Sequence, residues 1–124
     1  MNSESARTRS EVPGDFSARV ENHGGAVVLS VAGEVDLLTA PELDKLITAQ
    51  LEQRPEVLVV DLSDVSFLAS AGMSVLIGGN QRAGEGTRFR LVAVGNATLR
   101  PMELTGIADE FSIHPTRDRA LAEG

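Results

Sequence analysis

The sequence contains no cysteine, tryptophan or tyrosine, and it has few positive charges. The absence of cysteine excludes disulfides, thiolate nucleophiles and cysteine-bound zinc. Eleven Lys and Arg stand against eighteen Asp and Glu, so the formal net charge is -7. An acidic surface repels the phosphates of nucleic acids. We therefore expect no direct binding of nucleic acid through a broad basic face.

Long apolar runs are also missing. No run approaches the roughly 18–20 residues that a membrane helix needs, and the opening MNSESARTRS has no apolar core of a signal peptide. We therefore expect a soluble, cytoplasmic protein with no membrane partner. The 124 residues are 42% hydrophobic, which suits one domain. We expect a flexible segment over residues 1–14 and a folded domain over residues 15–124.

Helix and strand patterns alternate along the chain after an initial hairpin. The predicted strands cover residues 16–21, 26–32, 57–62, 89–94 and 111–113. The predicted helices cover residues 41–53, 71–83, 98–105 and 116–121. This order predicts an α/β fold with a small mixed sheet of about five strands, the later ones largely parallel. The apolar strand 57–62 should be central, with helices packed mainly on one side.

Turn and capping residues mark the boundaries of these elements. The sequence His23-Gly24-Gly25 predicts a hairpin turn, and residues 33–36 form a polar break. Thr39 and Thr116 are predicted helix caps. The following side chains are expected in the core: Val28, Leu46, Val59, Leu76, Ile77 and Val92.

Catalytic constellations are scarce, and we expect no enzyme activity, cofactor or metal site. Two histidines occur, His23 in a predicted turn and His114 before a proline, and solvated loop positions explain both. Asp61 and Asp64 lie near the end of the central strand, where carboxylates can bind a metal. The more common role of such carboxylates is to accept hydrogen bonds from backbone donors in a turn.

Glycines interrupt the chain at two places that matter. Residues 84–86 follow a helix and match no phosphate-binding loop, so they predict a helix end. Gly78 and Gly79 lie inside a predicted helix, where two glycines cost about 2 kcal/mol relative to alanine. Close helix–sheet packing is the simpler compensation, and close approach of a partner is the alternative.

Ser70 stands where a loop after the buried strand gives way to a helix. One interpretation is a helix cap, whose hydroxyl accepts backbone N–H groups. The other is a phosphoacceptor, because a helix N-terminus favours an anion. The two roles are compatible.

The segment DLSDVSFLASAGM over residues 61–73 resembles the central motif of the STAS-domain anti-sigma factor antagonists, roughly D-L-S-x-V-x-F-M-D-S-[ST]-G-L. The segment GEVD at residues 33–36, followed by TAP at residues 39–41, is similar to a second family motif. Together with the order of elements, the resemblance covers residues 16–121 and implies the STAS fold. Ser70 matches the phosphorylated serine of the family. Ala69 and Ala71 stand where the family has an Asp and a Ser or Thr.

The resemblance implies partner switching in transcription regulation and stress response. The unphosphorylated antagonist binds an anti-sigma factor that is also a serine kinase, which releases a sigma factor. Phosphorylation, here at Ser70, ends this binding, and a PP2C-type phosphatase reverses the modification. ATP then belongs to the kinase. Two alternatives stay open: a scaffold or constitutive antagonist without phosphorylation, and a nucleotide-binding STAS module.

A single partner-binding patch is predicted at the carboxyl ends of the buried strands, where open α/β sheets carry their functional surface. Leu68 and Met73 are expected to be exposed and to form its apolar centre. The patch consists of Asp36, Thr39, Leu68, Ala69, Ser70, Gly72 and Met73.

Overall fold

The computed structural model describes residues 16–122, so the expected flexible segment 1–14 lies outside the described residues. The strands are β1 (Ser17–His23), β2 (Ala26–Val35), β3 (Val57–Leu68), β4 (Arg88–Val92) and β5 (Ser112–His114). The helices are α1 (Ala40–Glu52), α2 (Ser70–Ala83), α3 (Leu99–Leu104) and α4 (Arg117–Ala122), with a 3-10 turn at Ile107–Glu110 that the sequence did not predict.

The strands form one sheet in the order β1-β2-β3-β4-β5, with β3 central as predicted. The β1–β2 hairpin is antiparallel, and the other neighbours are parallel. Gly24 adopts a φ of 65° in the hairpin turn, a left-handed conformation that glycine reaches without a steric penalty. The expected α/β mixed sheet is confirmed. Within residues 16–122, no helix has the length and apolarity required to cross a membrane.

Two apolar cores lie on opposite faces of the sheet because successive strand residues point to opposite sides. The front core contains Leu58 and Val60 of β3 and is covered by α1, α2 and α3. The rear core contains Val28, Val59 and Val92 with Ala120 of α4. Helices therefore pack mainly on one side, with the short α4 on the other.

The predicted core is largely confirmed. Val28, Val59 and Leu76 are fully enclosed, Val92 is buried, and Leu46 is partly buried against the front core. The prediction for Ile77 is wrong, because its side chain is half-buried and belongs to neither core. The inner face of α2 consists of Gly72, Met73, Leu76, Gly79 and Ala83, and helical rotation turns Ile77 away from it.

The two longest strands extend further than the sequence patterns predicted. Residues 33–35 of the expected polar break and residues 63–68 of the expected loop are strand, since Asp64 pairs with Ala32 and Leu68 pairs with Val35. The register between β3 and β4 ends at Asp61, so residues 62–68 pair with β2 alone. Register shifts in β2 and this one-sided pairing let polar residues continue the strand.

Close packing accounts for Gly79, one of the two consecutive glycines in α2. A Cβ at Gly79 would lie 3.0 Å from Ile47 Cγ2 and 3.1 Å from Phe89 Cε1, so α2 approaches both α1 and the sheet closely there. The expected close packing is confirmed at this position. A Cβ at Gly78 would meet nothing within 4 Å, and packing does not explain that glycine.

Candidate functional site at the carboxyl edge of the sheet

The loop after β2 and the start of α2 lie side by side, as predicted. Leu68 at the end of β3 pairs with Val35 at the end of β2. The Ala69 N–H then donates to the Val35 carbonyl at 2.8 Å. The parallel pairing therefore brings the loop at residues 36–39 next to the first turn of α2.

Side-chain hydrogen bonds of Asp36 and Thr39 stabilise the loop at residues 36–39. Asp36 Oδ1 accepts the Leu38 N–H at 3.0 Å and the Thr39 N–H at 3.1 Å. The Thr39 hydroxyl donates to the Glu34 carbonyl at 2.8 Å and accepts the Asp36 N–H at 2.9 Å. Thr39 is fully buried and is the N-cap residue of α1 as predicted, but its side chain makes no capping hydrogen bond. Its hydroxyl is already used to close the loop, while Pro41 occupies the first turn as expected.

The apolar side chains exposed at this edge are Leu37, Leu38 and Phe67, which are 76%, 69% and 52% exposed. Leu68 and Met73, which were expected to be exposed, are buried. The side-chain alternation of β3 turns Leu68 inward and Phe67 outward. The exposure of Leu37 and Leu38 could have been predicted from the sequence, because two consecutive apolar residues in a polar turn cannot both face a core. The exposure of Phe67 could be recognised only from the register of its strand.

Gly72 is a packing residue. A Cβ there would lie 2.5 Å from Val35 Cγ1 and 2.8 Å from Leu68 Cδ1. The first turn of α2 can therefore lie directly on the ends of β2 and β3 only with glycine at this position. Gly72 is buried and supports the predicted patch from below.

Ser70 is the first residue of α2 and is exposed. The N-cap is Ala69, whose carbonyl accepts the Met73 N–H at 3.1 Å. Ser70 is therefore not the helix cap, and that interpretation is wrong. Among residues 16–122, the Ser70 hydroxyl has no hydrogen-bond partner. The helix begins one position earlier than the motif suggested, which leaves this hydroxyl directed at no backbone donor.

The other candidate groups are engaged elsewhere. His23 and His114 end strands β1 and β5 rather than lying in loops, and their Nε2 atoms lie 3.3 Å from Glu21 Oε1 and 2.9 Å from Ser112 Oγ. Asp61 is buried and accepts the Ser63 N–H at 2.9 Å, the expected backbone role. No cluster of His, Asp and Glu suited to a metal occurs within the described part of the chain.

Comparisons with known proteins identify relatives over nearly the whole folded region. A model of the STAS domain matches residues 17–120. The anti-sigma-F factor antagonist RsfB of Mycobacterium tuberculosis is 38% identical over 109 residues, which is 88% of this chain and 89% of that protein. RsfA, an anti-sigma-F factor antagonist of the same organism, is 30% identical over 110 residues and covers 86% of each chain.

A solved structure shows the same fold. The crystal structure of an anti-sigma factor antagonist from Mycobacterium paratuberculosis has a TM-score of 0.84 and 44% sequence identity to this chain. The match covers 89% of this chain and 94% of that chain. Fold and sequence therefore agree on the same group of relatives.

Proposed function

The chain belongs to the STAS domain family, and we propose that it is an anti-sigma factor antagonist controlled by phosphorylation at Ser70. Its unphosphorylated form would bind an anti-sigma factor with serine kinase activity in the cytoplasm and so release a sigma factor for a stress response. The kinase would use its own ATP to modify Ser70, and a PP2C-type phosphatase would restore the active form.

The observation that carries this proposal is the environment of Ser70. An exposed serine hydroxyl without a partner in residues 16–122 begins α2, beside a loop that presents Leu37 and Leu38 to solvent. Exposed apolar side chains grouped at one edge favour protein association. A kinase that docks on these side chains would hold the Ser70 hydroxyl within its reach.

Phosphorylation is expected to act on the interface and to leave the fold intact. A phosphate adds about −1.5 to −2 charges at neutral pH, which a helix N-terminus tolerates. The adjacent segments 33–39 and 63–73 carry Glu34, Asp36 and Asp64 but no Lys or Arg. The charge would therefore have no cation from these segments when a partner removes water, and its desolvation would weaken binding.

The residues beside Ser70 favour a second candidate, a constitutive antagonist or scaffold. Ala69 and Ala71 are half-buried and carry neither carboxylate nor hydroxyl. Ala69 lacks the Asp that could orient the acceptor in the family motif. This candidate keeps the docking surface, formed by Leu37 and Leu38, but is not controlled by phosphorylation.

A kinase assay separates the two candidates. Wild type, Ser70→Ala and Ser74→Ala are each incubated with the cognate anti-sigma kinase and ATP. Ser74 is a matched control because it is exposed on the same helix. We expect phosphate on wild type and Ser74→Ala, and none on Ser70→Ala. No labelling of any of the three while binding persists would support the constitutive alternative. Equal labelling of all three would place the modified hydroxyl elsewhere and contradict the assignment to Ser70.

Binding measurements complete this test. Ser70→Glu should weaken binding to the anti-sigma factor at least about tenfold, or 1.4 kcal/mol, while its melting temperature stays close to that of wild type. Ser70→Ala should bind like wild type. Titration of the chain alone with labelled ATP and GTP should show no saturable binding, and saturation would favour the nucleotide-binding module.

A further inference from the structure

The rear face of the sheet is covered by one short helix. α4 has six residues, and its Ala120 is fully buried against Val28, Val59 and Val92. A helix of this length is unstable in water by itself. Its helical state therefore depends on contacts with the sheet.

Arg117, the first residue of α4, is bound to three strands at once. Its Nη1 donates to Glu21 Oε1 of β1 at 2.8 Å, and its Nη2 donates to Ser30 Oγ of β2 at 2.7 Å. The same Nη2 lies 3.2 Å from Asp61 Oδ2 of β3. These charge-assisted contacts fix the start of the helix over the first three strands.

The far end of α4 is held by β4. Arg90 is buried, and its Nη1 donates to the Ala120 carbonyl at 2.7 Å. A cation here satisfies a carbonyl of the last turn and complements the helix dipole. The helix is thus attached by arginine contacts at both ends, with a small apolar contact between them.

Asp61 links this attachment to the Ser70 edge. While Oδ2 faces Arg117, Oδ1 accepts the backbone N–H of Ser63 at 2.9 Å and also the Ser63 hydroxyl. Ser63 lies in the part of β3 that pairs with β2 alone and runs directly to Ser70. One carboxylate is therefore shared between α4 and the strand segment that carries the candidate site.

We propose that α4 is a detachable latch that opens as a unit while the front core stays folded, and that its opening loosens residues 62–68 of β3. Partial opening of this kind is expected where an element makes few apolar contacts and depends on partly exposed ion pairs. Arg117 is 30% exposed in its side chain, so water can compete for its contacts. Docking of α4 would then determine how well ordered the end of β3 is, just before Ser70.

Amide hydrogen exchange on the full chain without any partner tests this latch. The variants are Arg117→Ala and the control Arg119→Ala, an exposed arginine on the same helix with no ion pair among the described residues. In Arg117→Ala, exchange should accelerate at least about tenfold at the Ala120 and Ser63 amides. The Met73 amide of α2 should exchange as in wild type. Arg119→Ala should match wild type at all three.

Three results would overturn the proposal. Equal acceleration at Met73 would mean that α4 opens only with the whole domain. Acceleration at Ala120 without Ser63 would remove the link to β3, and no change at Ala120 would remove the latch. Arg117→Lys keeps the charge but lacks the fork that reaches several acceptors, so it should give intermediate rates and provides a second variant should alanine prevent folding. Because no anti-sigma factor is present, this result is independent of the proposed function.

Discussion

The rear face and the carboxyl edge of the sheet use polar residues in opposite ways. At the rear, Arg117, Asp61 and Glu21 satisfy one another, and the apolar residues beneath them are buried. At the carboxyl edge, polar groups close a loop internally, while Leu37 and Leu38 are left in solvent. In this domain the rear ion pairs hold structural elements together, whereas the candidate site combines exposed leucines with a Ser70 hydroxyl that has no hydrogen-bond partner within residues 16–122.

A charge placed in the rear core should have the largest effect on this contrast. Val59 is fully buried in central β3, and its neighbour Arg90 on β4 already donates to the Ala120 carbonyl, so Val59→Asp would enclose a carboxylate beside a guanidinium that is already engaged. We expect a loss of about 3–5 kcal/mol in the free energy of unfolding, measured by urea denaturation. The same charge at the edge, in Leu38→Asp, should change this free energy by no more than about 0.5 kcal/mol. Similar losses in both variants would contradict the contrast.

Two of the three glycines of α2, Gly72 and Gly78, allow the same comparison within one helix. Gly72→Ala would push a methyl group against Val35 and Leu68, and overpacking of this kind costs about 1–3 kcal/mol. Gly78→Ala places its methyl group in open space and should stabilise the helix by about 1 kcal/mol. Thermal melts of both variants provide the measurement. A stabilised Gly72→Ala would show that the start of α2 can move off the strand ends.

The docking surface is tested by charges that leave the fold unchanged. Leu37→Asp and Leu38→Asp should each weaken binding to the anti-sigma factor at least about tenfold, or 1.4 kcal/mol, by calorimetric titration. Each introduces a carboxylate that must lose water on docking. Leu104→Asp on α3 is the matched control, since Leu104 is also 69% exposed but lies outside the proposed surface. Weakening confined to Leu104→Asp would move the interface to α3.

The sequence predicted the framework better than the site because the two depend on different signals. The runs at residues 57–62 and 26–32 are apolar except for Asp61 and Ser30, so their strand character and central position could be predicted directly. The exposure of Phe67 and the burial of Leu68 depend on the register between β2 and β3 beyond the end of β4. No local pattern contains that long-range pairing.

The capping errors have a similar origin. Thr39 and Thr116 both precede helices, yet only Thr116 accepts a backbone N–H of its helix, from Arg119 at 3.1 Å. Thr39 instead bonds to the Glu34 carbonyl, across a loop whose shape the parallel strands impose. Ser70 lost its predicted cap role because α2 begins at Ser70 itself, with Ala69 as its cap residue.

The smallest expected effect concerns the rear ion cluster in acid. The hydrogen bond from His23 holds the pKa of the Glu21 carboxyl below its usual range, and the nearby Arg117 and Arg19 guanidiniums act in the same direction against partial burial. The folded state therefore releases this proton more readily than the unfolded state. The resulting stabilisation is complete above the ordinary glutamate pKa of about 4.3 and is lost as the pH falls through the lower folded-state value.

Glu21→Gln should remove this acid dependence while retaining an oxygen that accepts from Arg117. Urea denaturation repeated below about pH 4.3 should show wild-type stability falling more steeply than that of Glu21→Gln, with Glu85→Gln parallel to wild type. Glu85 is exposed and has no ion pair among the described residues, so it controls for the lost charge. The protection factor of the Ala120 amide, which corrects for the pH dependence of intrinsic exchange, should fall over the same pH range in wild type, because a protonated Glu21 offers Arg117 no counter-charge. Parallel stability curves for all three proteins would mean that Glu21 contributes to α4 only as a neutral hydrogen-bond acceptor.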